Sequence, residues 1–572
     1  MVESTKKQLI DRMFEKGILV NKEMLERELN EDLIEKIKGE EDLIVLNDDY
    51  SKLIKDDSFL VDWYAVDHFR VGFEKNGEED RYQSQLQDLK KGSLTIASNK
   101  KTKNRQELKS IETELEEDLM EANLPEHNVN SEERINQNIV AEGAVAELEK
   151  IERELEYEIV YSYETITHKY TVTDFTKIFR TRYQYLEKLI RQHPEMKNLV
   201  SINRLRMKKE RENVSIIGVI SDIAETKNSN LIITLEDLTG EIKILINKSK
   251  EDVHKKGKEL VFDEVIGVVG VSGDNIIFVD DVIWPDIPSN IDLKQSDKEE
   301  YAIFLSDVHV GSNNFLEEEF KKFLKWTSGN AGNDSQRSIA NKVKYIFIAG
   351  DLVDGIGIYP GQEKELKITD TRGQYNKFIE LIKEIPLDKQ IFICPGNHDA
   401  VHLAEPQVIF YKEYTKDLHN MPNVTLVSNP GMVNIAKTKG FSGFNILMYH
   451  GSSFDYYVAN VDDIRNNGGY ERADLIMKFL LKRRHLAPSY KSTPYLPAYE
   501  EDPLLIKKIP DFLITGHIHY SAVANYKGVT MIGGSCWQAK TKFQEKLGHN
   551  PEPGRVPIVN LKTREVKVLR FV

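Results

Sequence analysis

The sequence predicts a multidomain protein in which an α/β (α+β) C-terminal half follows an all-β barrel and a small N-terminal helical module. Three observations predict this fold class. The chain has 572 residues, more than one hydrophobic core holds, so about three to four domains are expected. Short β-rich runs fill residues 200–290, and from residue 301 onward apolar runs alternate with amphipathic segments.

The first 200 residues change character twice. Residues 1–75 place apolar side chains near helical spacing and predict a small helical packing or interaction module. Residues 76–150 are polar, charged and poor in aromatic residues. Such a stretch cannot bury enough apolar surface to offset its chain entropy, so a charged flexible linker is expected. Periodicity returns over residues 151–199, which predict a helical connector to the next domain.

Residues 200–290 contain short β-rich runs separated by turn signals such as Thr239-Gly240. Four or five strands in this length predict a small Greek-key barrel of the OB type. OB barrels often bind single strands by stacking bases on exposed aromatic rings, but aromatic residues are scarce here, with Phe262, Phe278 and Trp284 as the main candidates. A structural or protein-binding role is therefore favoured over direct DNA binding.

Composition narrows the class of protein. The formal net charge of −15 argues against broad non-specific nucleic-acid binding by the whole surface, although a local basic path remains open. The longest apolar runs are far shorter than the roughly 20 residues that span a bilayer, and the N-terminus has no apolar leader. Cys394 and Cys536 form no C-x-x-C pair, which argues against a cysteine zinc site. A reduced, cytoplasmic protein is expected, with Cys394 buried.

Five apolar runs of the C-terminal half each end in a short polar signature. The carboxyl ends of strands are where α/β sheets place their ligands, and the glycines in these signatures allow sharp turns and close approach. Five of the 14 histidines fall in these signatures. The polar residues at the ends of the runs are Asp307, His309, Asp351, Asp354, Asn397, His398, Asp399, His450, His517 and His519.

This mixture of His, Asp and Asn indicates a two-metal phosphoesterase site. Two divalent cations about 3.5–4 Å apart need a bridging carboxylate and several nitrogen or oxygen donors. Imidazole together with carboxylate favours Mn, Fe or Zn over a purely Mg site, and Mn is the preferred prediction. A single Asp-x-His or His-x-His motif is more often a turn or a surface or core feature, so the prediction depends on the five signatures together.

The series DVH, GDLVD, GNHD, HG and GHIH resembles the calcineurin-like metallophosphoesterase superfamily, which implies a four-layer sandwich. It implies that His398 protonates the leaving oxygen or stabilises the transition state without binding metal, with Asp399 orienting it and Asp354 structural. The ligands that it implies are Asp307, His309, Asp351 and His519 for the first cation, and Asp351, Asn397, His450 and His517 for the second, with Asp351 bridging.

One departure from the superfamily pattern narrows the substrate. The protein Ser/Thr phosphatases carry an arginine in the second motif that clamps a phosphomonoester. Here the corresponding residues are Asp354-Gly355-Ile356. The clamp is absent at that position, so a diester substrate is favoured.

From about residue 200 onward the chain also resembles the small exonuclease subunits of archaeal family D DNA polymerase, most closely in RRHLAPSYKSTPYLP and SCWQAKTKFQEKLGHNPEPGRVPIVNL. This implies 3′–5′ proofreading at a single-stranded or frayed DNA 3′ end, a large polymerase subunit as partner, and the sliding clamp as a further partner. Every ligand position holds a competent residue, which favours an active nuclease. The alternatives are a non-catalytic scaffold subunit and a general metallophosphodiesterase acting on nucleotides.

A basic segment between the fourth and fifth signatures predicts either a path for the DNA backbone or a solvated helix face. Tyr490, Tyr495 and Trp537 are candidates for stacking on a frayed terminal base, or for packing in a core or an interface. The residues of the basic segment are Lys478, Lys482, Arg483, Arg484, His485 and Lys491.

Overall fold

The computed structural model describes residues 157–572, apart from 165–168, 208–209, 290, 498 and 547–548, and two short strands near the N-terminus. These strands, β1 (Leu19–Val20) and β2 (Val45–Leu46), pair in parallel. The remainder of the predicted helical module and the whole predicted linker lie outside the described residues.

The chain divides into two compact units. One comprises residues 1–107 and 542–549 and contains the β1–β2 pair and a short helix, Lys542–Lys546. The other comprises residues 108–541 and 550–572 and holds the barrel and both large sheets.

The larger unit begins, within the described residues, with strand β3 (Tyr157–Tyr161). This corrects the prediction of a helical connector over residues 151–199, in which helix α1 (Val172–Ile190) forms only the later part. A short helix, α2 (Ile202–Arg206), follows the connector. The YEIVY segment is rich in aromatic and β-branched residues, which suit a strand. Its backbone groups pair with a distant strand, and this tertiary pairing decides the local structure.

A closed five-stranded barrel follows α2. Its strands are β4 (Asn213–Glu225), β5 (Leu231–Asp237), β6 (Gly240–Ile246), β7 (Val265–Ser272) and β8 (Ile276–Ile283), with helix α3 (Glu251–Lys258) before β7. Their order around the barrel is β4-β5-β6-β8-β7, with the β6–β8 pair parallel. Trp284 is buried against the barrel core, whereas Phe262 and Phe278 are partly exposed.

The first large sheet carries the first three signatures. Its strands β9 (Tyr301–Leu305), β10 (Val343–Ala349), β11 (Gln390–Cys394) and β12 (Val424–Leu426) are parallel. Helices α4 (Glu317–Thr327), α5 (Asp334–Lys342), α6 (Thr371–Ile382) and α7 (Lys412–His419) connect them. At the far side of β9 lie two antiparallel strands from the end of the chain, β18 (Arg555–Asn560) and β19 (Val566–Arg570).

The second large sheet carries the last two signatures. Its helices are α8 (Phe454–Asn460), α9 (Asp462–Asn466) and α10 (Ala473–Arg483). Its strands are β13 (Gly431–Ile435), β14 (Phe444–Met448), β15 (Phe512–Thr515), β16 (Ala522–Tyr526) and β17 (Val529–Gly533). Their order is β16-β17-β15-β14-β13-β3, so β3 forms one edge.

The two sheets share one apolar core. Phe304, Phe347 and Phe392 stack in a row across β9, β10 and β11, with neighbouring ring centroids 5.3 and 5.0 Å apart, and they pack with residues of the second sheet. The alternate strand residues pack against helices instead. Burial on both faces explains why the strands read as continuous apolar runs. The mixed α/β sheets and the closed barrel agree with the predicted fold class. None of the described helices combines the length and apolar character needed to cross a bilayer.

The basic segment neither forms a DNA path nor lies on a solvated helix face at its centre, which corrects both predictions. Arg483 and His485 are buried, and Arg484 is buried with its Nε donating to the Ile506 carbonyl at 2.9 Å. Lys478 and Lys491 alone of this segment remain exposed. The reason is that the end of α10 packs against the barrel. There, acidic residues distant in sequence form ion pairs with the basic side chains.

We call this contact between the barrel and the second sheet the junction. Its ion pairs join Arg483 Nε to Glu264 Oε2 at 2.7 Å and Lys482 Nζ to Glu259 Oε2 at 2.9 Å. Lys482 also lies 3.6 Å from the ring centroid of Trp284. The junction residues are Arg182, Glu259, Glu264, Trp284, Lys482, Arg483, His485 and Asp502.

Arg182 of α1 and His485 share Asp502. Arg182 Nε lies 2.5 Å from Asp502 Oδ2, and His485 Nε2 donates to the same oxygen at 2.9 Å. His485 Nδ1 accepts the Ala487 backbone N–H at 2.9 Å, so the imidazole is neutral in this arrangement. Tyr495 donates to the other Asp502 oxygen at 2.9 Å. Both nitrogens of His485 are therefore occupied by protein groups.

The three aromatic residues considered for base stacking have different positions. Trp537 is 2% exposed and packs against Phe320 and Phe323. The prediction that Trp537 stacks on a base is therefore wrong, and the alternative that it packs in a core is confirmed. Tyr495 is held at the junction. Tyr490 is 40% exposed and packs edge-on against Phe179 of α1.

Candidate metal centre

The carboxyl ends of five strands from both sheets meet at one place. Asp307 and His309 follow β9, and Asp351 follows β10. Asn397 and His398 follow β11. His450 follows β14, and His517 and His519 follow β15. The structure brings all of these predicted residues together, and we call them the His/Asp cluster.

Two buried aspartates form the centre of the cluster. His519 Nε2 lies 3.4 Å from Asp307 Oδ1, and His450 Nε2 lies 3.2 Å from Asp351 Oδ2. Three sets of side chains each bring their potential ligand atoms within 4.8 Å of one another: Asp307 with His309 and His519, Asp307 with Asp351 and His450, and Asp351 with His309 and His398. Each aspartate belongs to two of these sets, so each can bridge neighbouring positions.

The imidazole of His309 has a fixed tautomer. Its Nδ1 lies 3.1 Å from Asp354 Oδ1, an oxygen that only accepts, so Nδ1 carries the proton. The lone pair on Nε2 consequently points toward His519 Nε2 at 3.0 Å and Asp351 Oδ2 at 3.8 Å. Gln538 and Gln362 donate to the Asp354 carboxylate and hold it in place.

The same pattern recurs at His450 and His517. His450 Nδ1 donates to the Ala349 carbonyl at 2.8 Å, and His517 Nε2 donates to Asp455 Oδ2 at 3.0 Å. Their other ring nitrogens, Nε2 of His450 and Nδ1 of His517, are thereby directed into the cluster. Both of these nitrogens lie 2.9 Å from Asn397 Oδ1.

The backbone adopts an unfavourable conformation at several cluster residues. A positive φ in a residue other than glycine carries a strain of order 1–3 kcal/mol that persists only when the surroundings enforce it. At Gly396, a Cβ atom would lie 2.2 Å from Asp351 Oδ1, so only glycine allows this approach. The strained residues and their φ values are Asp307 (53°), His309 (54°), Asp351 (53°), His517 (73°) and His519 (56°).

The buried carboxylates shape the electrostatics. Burial alone would raise the pKa of Asp351, but His450, His398 and His309 outweigh it and hold the pKa well below its usual value. Burial likewise opposes protonation of His450, and Asp351 outweighs it, raising the pKa of His450 to about 10. Burial and the Asp351 charge raise the pKa of Asp399 to about 7.

The donor chemistry fits divalent cations. The ring nitrogens of His309 and His519, and those of His450 and His517 with Asn397 Oδ1, face one another or a carboxylate oxygen at 2.9–3.8 Å. Acceptors at these distances repel unless a proton or a cation lies among them. An imidazole that donates one N–H to an anchoring oxygen and points its other nitrogen at a shared space is the usual arrangement of a metal ligand. The residues of the cluster therefore fit divalent cations.

Asp399 does not orient His398, which corrects that prediction. Its carboxylate accepts the backbone N–H groups of Leu352 and Gly396 at 3.2 and 2.9 Å, and the Tyr375 hydroxyl at 3.1 Å. The carboxylate thus turns away from the ring and fastens the loops after β10 and β11. The His398 ring is oriented instead by its Nδ1, which donates to the Asp354 carbonyl at 2.7 Å.

Sequence reasoning missed the residues that support the ligands from outside the signatures. Asp455 holds His517, and Asn429 Oδ1 accepts the His450 backbone N–H at 2.9 Å. Glu405 accepts the Tyr449 hydroxyl at 3.1 Å directly behind His450. No recurring motif marks these residues, and only the position of Asp455 five residues after His450 offered a local signal.

The chain that carries the cluster is similar to known proteins. Residues 302–521 match the family described as Calcineurin-like phosphoesterase, whose members use divalent metals. The chain is 39% identical over 412 residues to the DNA polymerase II small subunit of Methanothermobacter thermautotrophicus, covering 72% of this chain and 82% of that protein.

Two further relatives carry the same description. The DNA polymerase II small subunits of Methanocaldococcus jannaschii and Pyrococcus furiosus are 39% identical over 394 residues and 38% identical over 403 residues. The matches cover 68% and 70% of this chain and 64% of each relative, so the chain spans just under two thirds of their length. With a phosphoesterase domain built around the His/Asp cluster, the chain belongs to the family of archaeal DNA polymerase II (family D) small subunits.

Proposed function

We propose that the chain is a metal-dependent 3′–5′ exonuclease, the proofreading subunit of a replicative DNA polymerase, which hydrolyses DNA phosphodiesters with a water activated by two divalent cations. The observation that supports this proposal most is the convergence of imidazole nitrogens and carboxylate oxygens from five strand ends. Mn is the preferred cation because the donors combine imidazole with carboxylate.

The ligands divide around Asp351. Asp307, His309 and His519 would hold one cation, Asn397, His450 and His517 the other, and Asp351 would bridge them. Bound there, the pair would stabilise the charge of the transition state and lower the pKa of a water molecule. Within the described residues, the polar contacts of the cluster involve no Lys or Arg side chain.

The chain's own residues supply the remaining steps. The backbone N–H of His398 donates to Asp351 Oδ1 at 2.8 Å, which holds the loop and the bridging carboxylate together. His398 Nδ1 donates to the Asp354 carbonyl, so the doubly protonated ring is proposed to give its Nε2 proton to the leaving O3′, while the attacking water loses its own proton to solvent. The water oxygen forms the new bond to phosphorus, the P–O3′ bond breaks, and a nucleoside monophosphate is released.

The remaining parts of the proposal concern architecture and partners. The two sheets with helices on their outer faces are proposed to be the four-layer sandwich of the superfamily, and the five-stranded barrel to be of the OB type. We propose domains at 200–290 for the barrel and from 295 onward for the phosphoesterase, with strand β3 added to the second sheet of the phosphoesterase. The proposed partners are a frayed or single-stranded DNA 3′ end, the large catalytic polymerase subunit and the sliding clamp.

The test uses the purified full chain, Mn²⁺ and a single-stranded DNA labelled at its 5′ end. The wild type is expected to shorten this strand stepwise from the 3′ end, and Asn397→Ala and His450→Ala to lose at least 100-fold of that rate. Asp462→Asn, at a residue about half exposed that pairs with Arg465, serves as the control with unchanged rate.

The outcomes separate the alternatives. Full activity in both ligand variants would contradict the proposed site. A wild type that binds Mn²⁺ but hydrolyses neither DNA nor bis-p-nitrophenyl phosphate would support the scaffold subunit. Hydrolysis of the small diester without stepwise shortening of DNA would support a general phosphodiesterase.

A further inference from the structure

The two halves of the His/Asp cluster differ in their access to solvent. Around the first cation position, the side chains of Asp307 and His309 are at most 1% exposed and that of His519 is 9% exposed. Around the second, His450 is equally buried, but its two companion ligands are more open. The side chain of His517 is 15% exposed, and Asn397 is half-buried. The position between Asn397 and His517 is therefore the outer part of the cluster, and the position between Asp307 and His519 is the inner part.

Asp455 contacts the outer part of the cluster through His517. Its Oδ2 accepts from His517 Nε2 at 3.0 Å, while its side chain is 55% exposed. The Tyr470 hydroxyl also hydrogen-bonds to Asp455. The imidazole of His517 thus lies between the Asp455 carboxylate on one nitrogen and Asn397 Oδ1 on the other.

The bond to Asp455 has two physical consequences. It places the proton of His517 on Nε2, which leaves Nδ1 as the nitrogen available to a cation. A carboxylate on the far nitrogen also makes the imidazole a stronger electron donor toward a metal. At the inner part, the corresponding anchor of His309 is the buried Asp354, which two glutamines hold.

We propose that Asp455 is a positioning residue that sets the affinity of the outer cation through His517, while leaving the inner cation unaffected. The proposal rests on the two-cation site of the proposed function. It assigns to the partly exposed Asp455 a role that its sequence context, SSFDYYV after the fourth signature, does not indicate. It also makes the outer cation the weaker and more readily exchanged of the two.

The test measures Mn²⁺ binding to the full chain by electron paramagnetic resonance and calorimetry at fixed pH. The wild type is expected to bind one tight and one weaker cation. Asp455→Ala is expected to weaken only the second by about 10–100-fold, the usual effect of removing such an anchor. Asp455→Asn retains an oxygen that accepts from Nε2, so it should restore most of the lost affinity.

The matched control is Asp462→Asn on the neighbouring helix, because Asp462 is also about half exposed and pairs with a basic residue, Arg465, instead of a ligand. This variant should bind both cations like the wild type. In the exonuclease assay, Asp455→Ala should need more Mn²⁺ for half-maximal rate but reach the wild-type rate at saturation. A purely structural role would lower the rate at all Mn²⁺ concentrations.

Each outcome is decisive. Asp455→Ala with two wild-type affinities, or with both affinities weakened equally, overturns the proposal, as does a wild type that binds fewer than two cations. If the wild type binds two cations with the expected pattern in the variants but leaves DNA intact, the proposed function fails and the role of Asp455 stands. Urea unfolding of each variant at zero Mn²⁺ verifies that the fold is retained.

Discussion

The junction and the His/Asp cluster are two concentrations of buried charge in the same compact unit, and they are completed in opposite ways. At the junction every base meets an acid: Arg483 meets Glu264, and Arg182 meets Asp502. In the cluster, imidazole nitrogens converge on one another and on carboxylates, as where His309 Nε2 lies 3.0 Å from His519 Nε2. The charges of the junction pair within the protein, whereas the cluster has the ligand arrangement of a cation site.

The difference shows how buried polar groups that stabilise the fold can be distinguished from those that bind a ligand. Burial and charge are similar in the two places, so neither identifies a binding site. The arrangement of donors and acceptors does, because a buried group without a complementary partner is unfavourable unless a ligand supplies one. The comparison predicts that the two regions respond to different perturbations.

The largest expected effect is on the junction. Arg483→Ala leaves Glu264 buried without its counter-charge, and breaking a buried pair in this way destabilises by about 3–5 kcal/mol. Urea unfolding followed by circular dichroism measures this loss, and Lys491→Ala should stay within about 0.5 kcal/mol of the wild type. Mn²⁺ affinity should not change. Loss of Mn²⁺ binding in Arg483→Ala would contradict the independence of the two regions by showing that they are coupled.

The junction should also respond to pH through His485. Burial, followed by Arg182, lowers the pKa of His485 from 6.5 to about 4. The unfolded chain therefore binds this proton first, so the stabilisation is complete above pH 6.5 and is lost as pH falls toward 4. At 1.36 kcal/mol per pH unit, the loss amounts to about 3 kcal/mol.

His485→Gln isolates this contribution because other groups titrate in the same range. The unfolding free energies of wild type and variant, measured between pH 7 and 4, should converge as pH falls. A difference that is independent of pH would show that His485 is not held neutral by its bonds to Asp502 and Ala487.

The cluster should respond to cations instead. A ligand that binds only the folded state stabilises it by about 2.7 kcal/mol at 100 times its Kd, and by more when two cations bind. Addition of Mn²⁺ should therefore raise the unfolding midpoint, and EDTA should reverse the effect. Arg483→Ala should keep this increment, whereas Asp351→Asn should lose it. An increment unchanged in Asp351→Asn would place the cation elsewhere.

Within the junction, the Lys482 pair is expected to give the smallest loss of stability. Lys482 lies over Trp284 and pairs with Glu259, and it is only half-buried. Lys482→Ala should therefore destabilise by about 1 kcal/mol, well below Arg483→Ala. Equal losses in the two variants, measured by urea unfolding, would mean that burial does not set the strength of these pairs.

The same contrast explains what the sequence could and could not predict. The cluster residues lie in short signatures at strand ends, so their order along the chain already indicates that they converge. The partners at the junction carry no such signal, because Arg182 and Asp502 are 320 residues apart. Read locally, the basic segment resembled a surface for DNA, and only the tertiary structure supplies its acidic partners. Asp399 was misassigned for a related reason, since its neighbour in sequence is not its neighbour in space.

The barrel strands were predicted well because each run is bounded by turns and pairs mostly with its neighbours in sequence. Strand β3 was missed because its partner, β13, lies about 270 residues further along the chain. Its charged flanking residues suggested a helix, and the pairing with β13 overrides that local preference.

Strand β3 has a consequence for how the phosphoesterase can be dissected. It completes the sheet that carries His450 and His517, yet it precedes the barrel in the chain. The barrel is thus an insertion between the first strand of this sheet and all the others. A fragment beginning at residue 295 would expose the hydrogen-bonding edge of β13 and invite aggregation. The smallest autonomous fragment that retains the sheet must begin before Tyr157 and carry the barrel with it.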